Sequence, residues 1–587
     1  MKISSLRHIF GLDLRSLALF RVAMGMLIIV DLIIRSTDLT AHYTDMGVMP
    51  RSLLAGSTHL ISLHLINGTW QFQGILFIIA GLFAFGMTIG YRTRLCTIAS
   101  WFFLISIYER NYMIIQGSDA LMKVVLFWCM FLPWGEVYSV DSLGKSSEDR
   151  NPDNKVLTAG TLGYAFQIGF VYFFAAAVKY GSDWQNGSAV YYALSIDQLT
   201  RPIGQLLLGL PDLTRFLTLS ARWLEGVGPF LWFSPVFTWQ LRMISLVALA
   251  IMQLGFGLSM RLGPFPWAAV IVTLGLLPSE FWNYVLSEVR LKFKKKIKIY
   301  YDGECAFCER LSKLVRIFFL LPETPLLEAQ SDRSINNDMK KYNSWVVVDA
   351  KGNRHYKYKA FLVVVNASMI LRPFKWIFKI FDIIPIGRYL YECVASNRMI
   401  FSQLVPEIPV TKKNPEYQWE ITKIFVGSVL IYTFFWNLSN IPHFNYQLPG
   451  HTRWVAGVLR IDQMWDMFAP TPLKEDGWWV IVGNTKSKKQ VDIFRDGAVV
   501  NWEKPSLGSS LFKSVRWGKY YLNLWSINHR SNASYLSTYL CREWNNKNKR
   551  KDSLDNLQIY FMREDTLPPG QGEAEPLKVE LWNQNCN

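Results

Sequence analysis

Tyr301-Asp302-Gly303-Glu304-Cys305-Ala306-Phe307-Cys308 follows the short apolar run Lys298-Ile299-Tyr300 and precedes an amphipathic stretch reaching about residue 320. The pattern is strand, turn, helix, with two cysteines one helical turn apart at the turn-to-helix junction. A thiolate there meets the unpaired amides and positive dipole end of the helix, so its pKa falls and it becomes reactive near neutral pH. The second cysteine, three residues on, then resolves a mixed disulfide. Half a zinc site and a purely structural pair are the alternatives; a zinc site needs a second Cys or His pair nearby, and the sequence offers none, so no metal is expected. Cys305 is the expected attacking thiol, with a lower pKa than Cys308, and Cys308 the resolving one. Asp302 either positions a proton, caps the helix or serves as a turn residue.

Outward from this motif the chain changes character. Of 587 residues, 51% are hydrophobic and 15% aromatic, while only 18% are charged, below the roughly 25% usual for soluble domains. Runs long enough to cross about 30 Å of hydrocarbon occur near 16–35, 70–90, 94–109, 119–135, 157–178, 213–235, 238–259 and 264–285, and a ninth near 419–438. The apolar N-terminal run contains Arg21 and Asp31 and lacks a small-residue cleavage site, so it is read as a retained span. The net charge of +17 is assigned to lipid-facing flanks, because no nucleic-acid-binding signature accompanies it.

The positive-inside rule sets the orientation. Lys2, Arg7 and Arg15 precede the first run, Arg92 and Arg94 follow the second, and Lys145, Arg150 and Lys155 follow the fourth. After the eighth come Arg290, Lys292, Lys294, Lys295, Lys296 and Lys298. All fall on one side when the N-terminus is cytoplasmic. The expected fold class is therefore an α-helical polytopic membrane protein of about nine spans, with an inserted cytoplasmic α/β thioredoxin-like domain and a small β-rich or α+β domain outside. The expected divisions are 1–290 (membrane unit), 297–400 (inserted domain), 415–440 (last span) and 441–587 (extracytoplasmic domain). A bacterial inner membrane is the expected location.

Residues 297–400 resemble the DCC family of thiol-disulfide oxidoreductases, whose name reflects an Asp and two Cys matching Asp302, Cys305 and Cys308. Ala329-Gln330-Ser331, Ala360 and Tyr391-Glu392-Cys393-Val394-Ala395-Ser396-Asn397-Arg398 extend the match. The resemblance implies a thioredoxin-like fold acting on thiol and disulfide partners.

The second chemical candidate is Lys179, which ends the apolar run Val171 to Val178 and is followed by Asp183-Trp184. A lysine so placed is read either as a snorkelling anchor or, desolvated against apolar walls, as a general base. Around it the chain resembles the vitamin K-dependent gamma-carboxylase family and the horizontally transferred transmembrane (HTTM) proteins. The matches run from Ser16-Leu17 through Arg21 and Asp31, then Tyr43 to Gly47, Arg110-Asn111, Gly117-Ser118-Asp119, Ser139-Val140-Asp141, Leu262-Gly263-Pro264-Phe265 and Gln463 to Pro470. In the carboxylases a lysine matching Lys179 deprotonates reduced vitamin K, which makes a vitamin K-like reduced quinone the implied cofactor. Two carboxylase histidines align with Glu136 and Gln253, neither of which performs neutral imidazole chemistry.

Three functions follow. The first is a membrane-bound protein-disulfide reductase or oxidoreductase using Cys305, Cys308 and Asp302, with its membrane unit acting on a quinone or other lipophilic substrate. The second is a gamma-glutamyl carboxylase-type enzyme with Lys179 as base. The third is a non-catalytic scaffold or transporter. Cys541 and Cys586, in the segment expected outside, either form a structural disulfide or stay unpaired.

Overall fold

The computed structural model describes residues 3–54, 62–144, 154–292, 297–321, 323–404, 416–572 and 574–586. Lys2, Lys145, Arg150, Lys294, Lys295 and Lys296, which the orientation argument uses, lie outside these. The chain is mostly helical. Five helices are long and apolar enough to cross a bilayer: α1 (Leu14–Ser36), α2 (Trp70–Ile89), α5 (Ala159–Ala177), α7 (Thr238–Ser259) and α15 (Glu416–Leu438), the last over Ile421–Leu438. A sixth candidate is a pair bent by 91°, Phe265–Leu276 with Ser279–Glu288; it contains helices α8 (Phe265–Ile271) and α9 (Ser279–Lys292). These helices make the chain an integral, multi-pass membrane protein and imply a lipid bilayer around it.

Three of the nine apolar runs form helices that fall short of this standard among the described residues, each for a physical reason. Helix α4 (Gly117–Cys129) is 13 residues long, and from Val124 to Cys129 every side chain is buried. At that length α4 falls below the roughly 20 residues that cross the hydrocarbon, and its apolar half packs against protein. Helix α3 (Thr93–Arg110) carries Arg94, Glu109 and Arg110 at its ends. Helix α6 (Pro211–Leu231) is amphipathic and includes Asp212, Arg215, Arg222 and Glu225.

Polar contacts sort the helix ends into two groups. At one end, Leu12-Asp13 pairs with Lys155-Val156, the Arg15 guanidinium donates to Asn283 and to the Ser279 carbonyl, and Trp282 donates to Ser16 at 2.7 Å. At the other end, α1 finishes with Asp31 and Arg35, α4 begins with Asp119, and Lys179 lies just beyond α5. The C-terminal region docks at this second end. Arg516, on helix α16 (Val515–Trp525), reaches Asp31 at 2.8 Å and also pairs with Asp119; Arg35 pairs with Asp31 at 2.6 Å and Asp119 at 2.7 Å. Two buried arginines thus neutralise two buried aspartates. Arg21 and Asp31, three turns apart, have separate partners: Arg21 donates to the carbonyls of Trp134 and Tyr138.

Residues 298–396 form a mixed α/β region. Strands β1 (Lys298–Tyr301), β2 (Leu326–Glu328), β3 (Val346–Val348) and β4 (Arg354–Tyr356) make one sheet in the order β2-β1-β3-β4, with β1/β2 parallel and the other pairs antiparallel. Helices α10 (Ala306–Phe319), α11 (Arg333–Tyr342), α12 (Lys357–Ala367), α13 (Lys375–Ile383) and α14 (Ile386–Ser396) accompany it. Ile299, Val347, Ala360 and Val364 form a core between β1, β3 and α12.

The C-terminal region is built on an antiparallel sheet ordered β8-β7-β5-β6, from β5 (Glu475–Thr485), β6 (Gln490–Asp492), β7 (Leu554–Asp565) and β8 (Leu577–Asn585). Helix α17 (Ala533–Lys547) packs on β7 and β8, and Cys541 on that helix is disulfide-bonded to Cys586 just beyond β8. Trp479 and Phe561 meet across β5 and β7 at 4.9 Å between ring centroids, in the core shared with α16.

Candidate active site

Two places combine chemistry-bearing side chains with access. The first is the turn after β1. Cys305 is the N-cap of α10, and its Sγ accepts the Cys308 amide at 3.3 Å. The sulfur therefore sits where the free amides of the first helical turn converge. Asp302 shapes the turn: its Oδ1 accepts the Glu304 amide at 3.1 Å and the Gln330 side-chain amide at 2.8 Å, and Gln330 in return accepts the Gly303 amide at 3.0 Å. The turn lies close to the Glu328 and Gln330 side chains: a Cβ at Gly303 would come within 3.1 Å of the Glu328 carboxyl carbon. Asp302 thus acts as the turn residue, and the helix cap is the cysteine itself.

Cys305 and Cys308 are both free thiols and both partly exposed. Burial, followed by the neighbouring Cys305, pushes the Cys308 thiol up to about 12. It remains a protonated thiol until something draws the proton away. The arginine acting on it is Arg398, which donates to the Asn343 carbonyl and side chain at 3.1 and 2.8 Å and pulls the Cys308 pKa in the opposite direction. Tyr391, seven residues before Arg398, meets Ser344 at 3.0 Å, while Cys393 is exposed.

Residues 299–403 match the family model for DCC1-like thiol-disulfide oxidoreductases, and residues 11–282 match the model for the HTTM domain. The chain joins an HTTM domain to a DCC1-like thiol-disulfide oxidoreductase domain. No curated protein matches it. No solved structure matches it either.

Within the HTTM region, Lys179 lies at the mouth of α5, buried, with its Nζ ion-paired to Glu225 of α6 and 4.9 Å from the Trp184 ring centroid. The segment Gln463 to Pro470 closes over this end: Trp184 donates to the Phe468 carbonyl at 2.9 Å, and the Gly181 amide donates to that of Pro470 at 3.1 Å. Together they wall a cavity of about 610 Å³, within the range of small-molecule sites. Its lining is mainly apolar, from Val171, Ala175, Leu217, Leu224, Met252 and Phe256, with Lys179, Glu225, Gln253, Asp466 and Lys519 among its polar groups.

Of the two positions aligned with carboxylase histidines, Gln253 lines this cavity, and its Oε1 has no hydrogen-bond partner among the described residues. Glu136 is not part of the lining. Neither is any residue of the DCC1-like domain. The sequence reading had named Lys179 without Glu225, which lies 46 residues away on an amphipathic helix. It had also passed over Lys519. An acidic residue on the inward face of α6 was the available signal for the first; nothing local marks the second.

Proposed function

We propose that the protein is a membrane-anchored thiol-disulfide oxidoreductase whose HTTM cavity holds a quinone-like or other lipophilic substrate. The observation that carries the redox half is Cys305 capping α10 with its sulfur on the Cys308 amide. The sheet order β2-β1-β3-β4, with β1/β2 parallel, β3 antiparallel to β1 and β4 antiparallel to β3, supports a thioredoxin-like reading of the inserted domain. In the reductive direction the Cys305 thiolate attacks one sulfur of a partner disulfide, forming a Cys305–partner disulfide and releasing the other partner sulfur, which takes up a proton. Cys308 then gives up its proton and attacks the Cys305 Sγ, releasing the second partner thiol and leaving a Cys305–Cys308 disulfide. Two electrons pass to the partner. With a quinone as acceptor, the same dithiol yields disulfide and quinol by transfer of two electrons and two protons.

The proposed arrangement keeps the nine-span count and the cytoplasmic DCC1-like domain, with the C-terminal region on the far side. Its support is the basic flanks, together with the grouping of α1, α5 and α9 contacts at the end from which the inserted domain departs. A diffusible quinone then connects the thiols to the Lys179 face. Stopped-flow oxidation of the prereduced protein in proteoliposomes containing ubiquinone or menaquinone tests this. Oxidation of the pair with either quinone, abolished by Cys305→Ser, is expected; no oxidation with any membrane quinone removes the coupling.

A second reading, lysine-base chemistry of the carboxylase type, is favoured by the Lys179–Glu225 pair facing a mainly apolar cavity. The pair offers a transferred proton two seats, one on Nζ and one on a carboxylate oxygen, and the orphan Gln253 carbonyl is placed to accept a substrate hydroxyl. Loss of activity in Lys179→Ala with retention in Cys305→Ser selects this reading. The opposite pattern selects the first.

A further inference from the structure

Lys519 stands on α16 of the C-terminal region, and it lines both the Lys179 cavity and an adjoining one of about 390 Å³. Gln116, Phe265, Asp466 and Met467 are shared by the two linings as well, so Lys519 marks their junction. The other cations nearby are spoken for: Lys179 is paired with Glu225, and the Arg261 guanidinium donates to the carbonyls of Ser509 and Phe512. Lys519 makes no hydrogen bond or ion pair among the described residues, and its interaction with Asp466, an exposed side chain, acts only through space. Burial lowers the Lys519 pKa, a sign that the ammonium is poorly hydrated where it sits. A partly dehydrated cation with no hydrogen-bonded counter-ion, only the through-space pull of Asp466, is costly to keep in an apolar chamber unless an anion joins it.

The chamber also has an apolar entrance. Ile251 lines it yet is 67% exposed, on α7, whose apolar window is only 28% buried. Leu217 and Leu224 of α6 face it from the other side. We infer that the occupant is an amphiphile with one negative charge, its acidic head at Lys519 and its apolar body lying between α6 and α7. This rests on the reading that the cavity takes a lipophile and narrows it, because an uncharged quinone leaves Lys519 unused. A carboxylate and a phosphodiester share the required chemistry.

The test uses the full-length protein in neutral detergent with three photoreactive probes: a diazirine-bearing palmitic acid, its methyl ester, and a phosphatidylglycerol with the same acyl chain. Crosslinks are mapped by mass spectrometry. The acid, the phospholipid or both should label cavity residues such as Phe256 and Met467 at least about tenfold more than the ester, as one charge-assisted hydrogen bond allows. Lys519→Gln should remove that preference and Lys519→Arg should keep it, with ester labelling unchanged in both. The stronger of the two anionic probes identifies the head group. Equal labelling by acid, phospholipid and ester, or an unchanged preference in Lys519→Gln, overturns the charge assignment while leaving a lipophile site. Absence of labelling by all three overturns the site as well.

Discussion

Cys308 and Asp476 show how burial, reinforced by one neighbour, divides chemically identical groups. Cys308, held up near 12, is unreactive as a nucleophile until its proton is removed, which supports the proposed roles of attack for Cys305 and resolution for Cys308. In a Cys305→Ser variant, which also removes the upward pull of Cys305, burial should still keep Cys308 slow to react with iodoacetamide at pH 7, the reaction speeding up as pH rises. In Cys308→Ser, Cys305 should be alkylated at pH 7; mass-spectrometric rates across pH 6 to 11 check both. Asp476 lies at the start of β5, where burial and then the charge of Asp197 raise its carboxyl to about 7, and its Oδ1 has no hydrogen-bond partner among the described residues. Its folded pKa lies above the ordinary carboxylate value of 3.8, so the native state holds the extra proton between those limits. Stability from this group is complete below pH 3.8 and is lost as pH rises through about 7. Asp476→Asn should therefore raise the unfolding temperature at pH 8 relative to the parent and narrow the difference at pH 5. The cysteine pair was legible in the sequence because its chemistry is local; Asp476 was not, because its pKa depends on Asp197, which is distant in the chain.

At the scale of elements, the buried quartet of Asp31, Arg35, Asp119 and Arg516 ties α1 and α4 to α16 of the C-terminal region. Removing one member leaves an uncompensated buried charge, which costs about 3–5 kcal/mol. Arg516→Met is expected to lower the unfolding temperature of the purified protein by several degrees and to expose the C-terminal region to limited proteolysis. A surface change such as Lys513→Met should do neither. That Asp31 needs a partner other than Arg21 follows from helical spacing alone, since ten residues span nearly three turns. Which partner it takes does not, because Arg516 lies 485 residues away in the chain. Helix α4 is shorter than its apolar run in the sequence, and its surroundings were not legible there for the converse reason. A 13-residue apolar helix looks the same in sequence whether lipid or protein surrounds it, and only packing by α3, α5 and α8 shows which.

For the whole molecule, the two chemistries lie apart: the cavity lining around Lys179 draws on α4 to α8 and on the C-terminal region, and the thiols sit on an inserted domain that contributes nothing to it. In the proposed orientation that domain lies in the cytoplasm. A membrane-impermeant maleimide should accordingly label Cys305 in inverted vesicles and leave it unlabelled in intact cells, in a Cys308→Ser, Cys393→Ser background that removes the other two free thiols of the domain. The most direct test of the thiol-exchange claim is trapping in native membranes. After rapid acid quenching and alkylation, Cys308→Ser should accumulate reductant-sensitive adducts through Cys305, and the Cys305→Ser, Cys308→Ser double variant should accumulate none. Adducts that form through Cys308 in Cys305→Ser, with none through Cys305 in Cys308→Ser, would contradict the account.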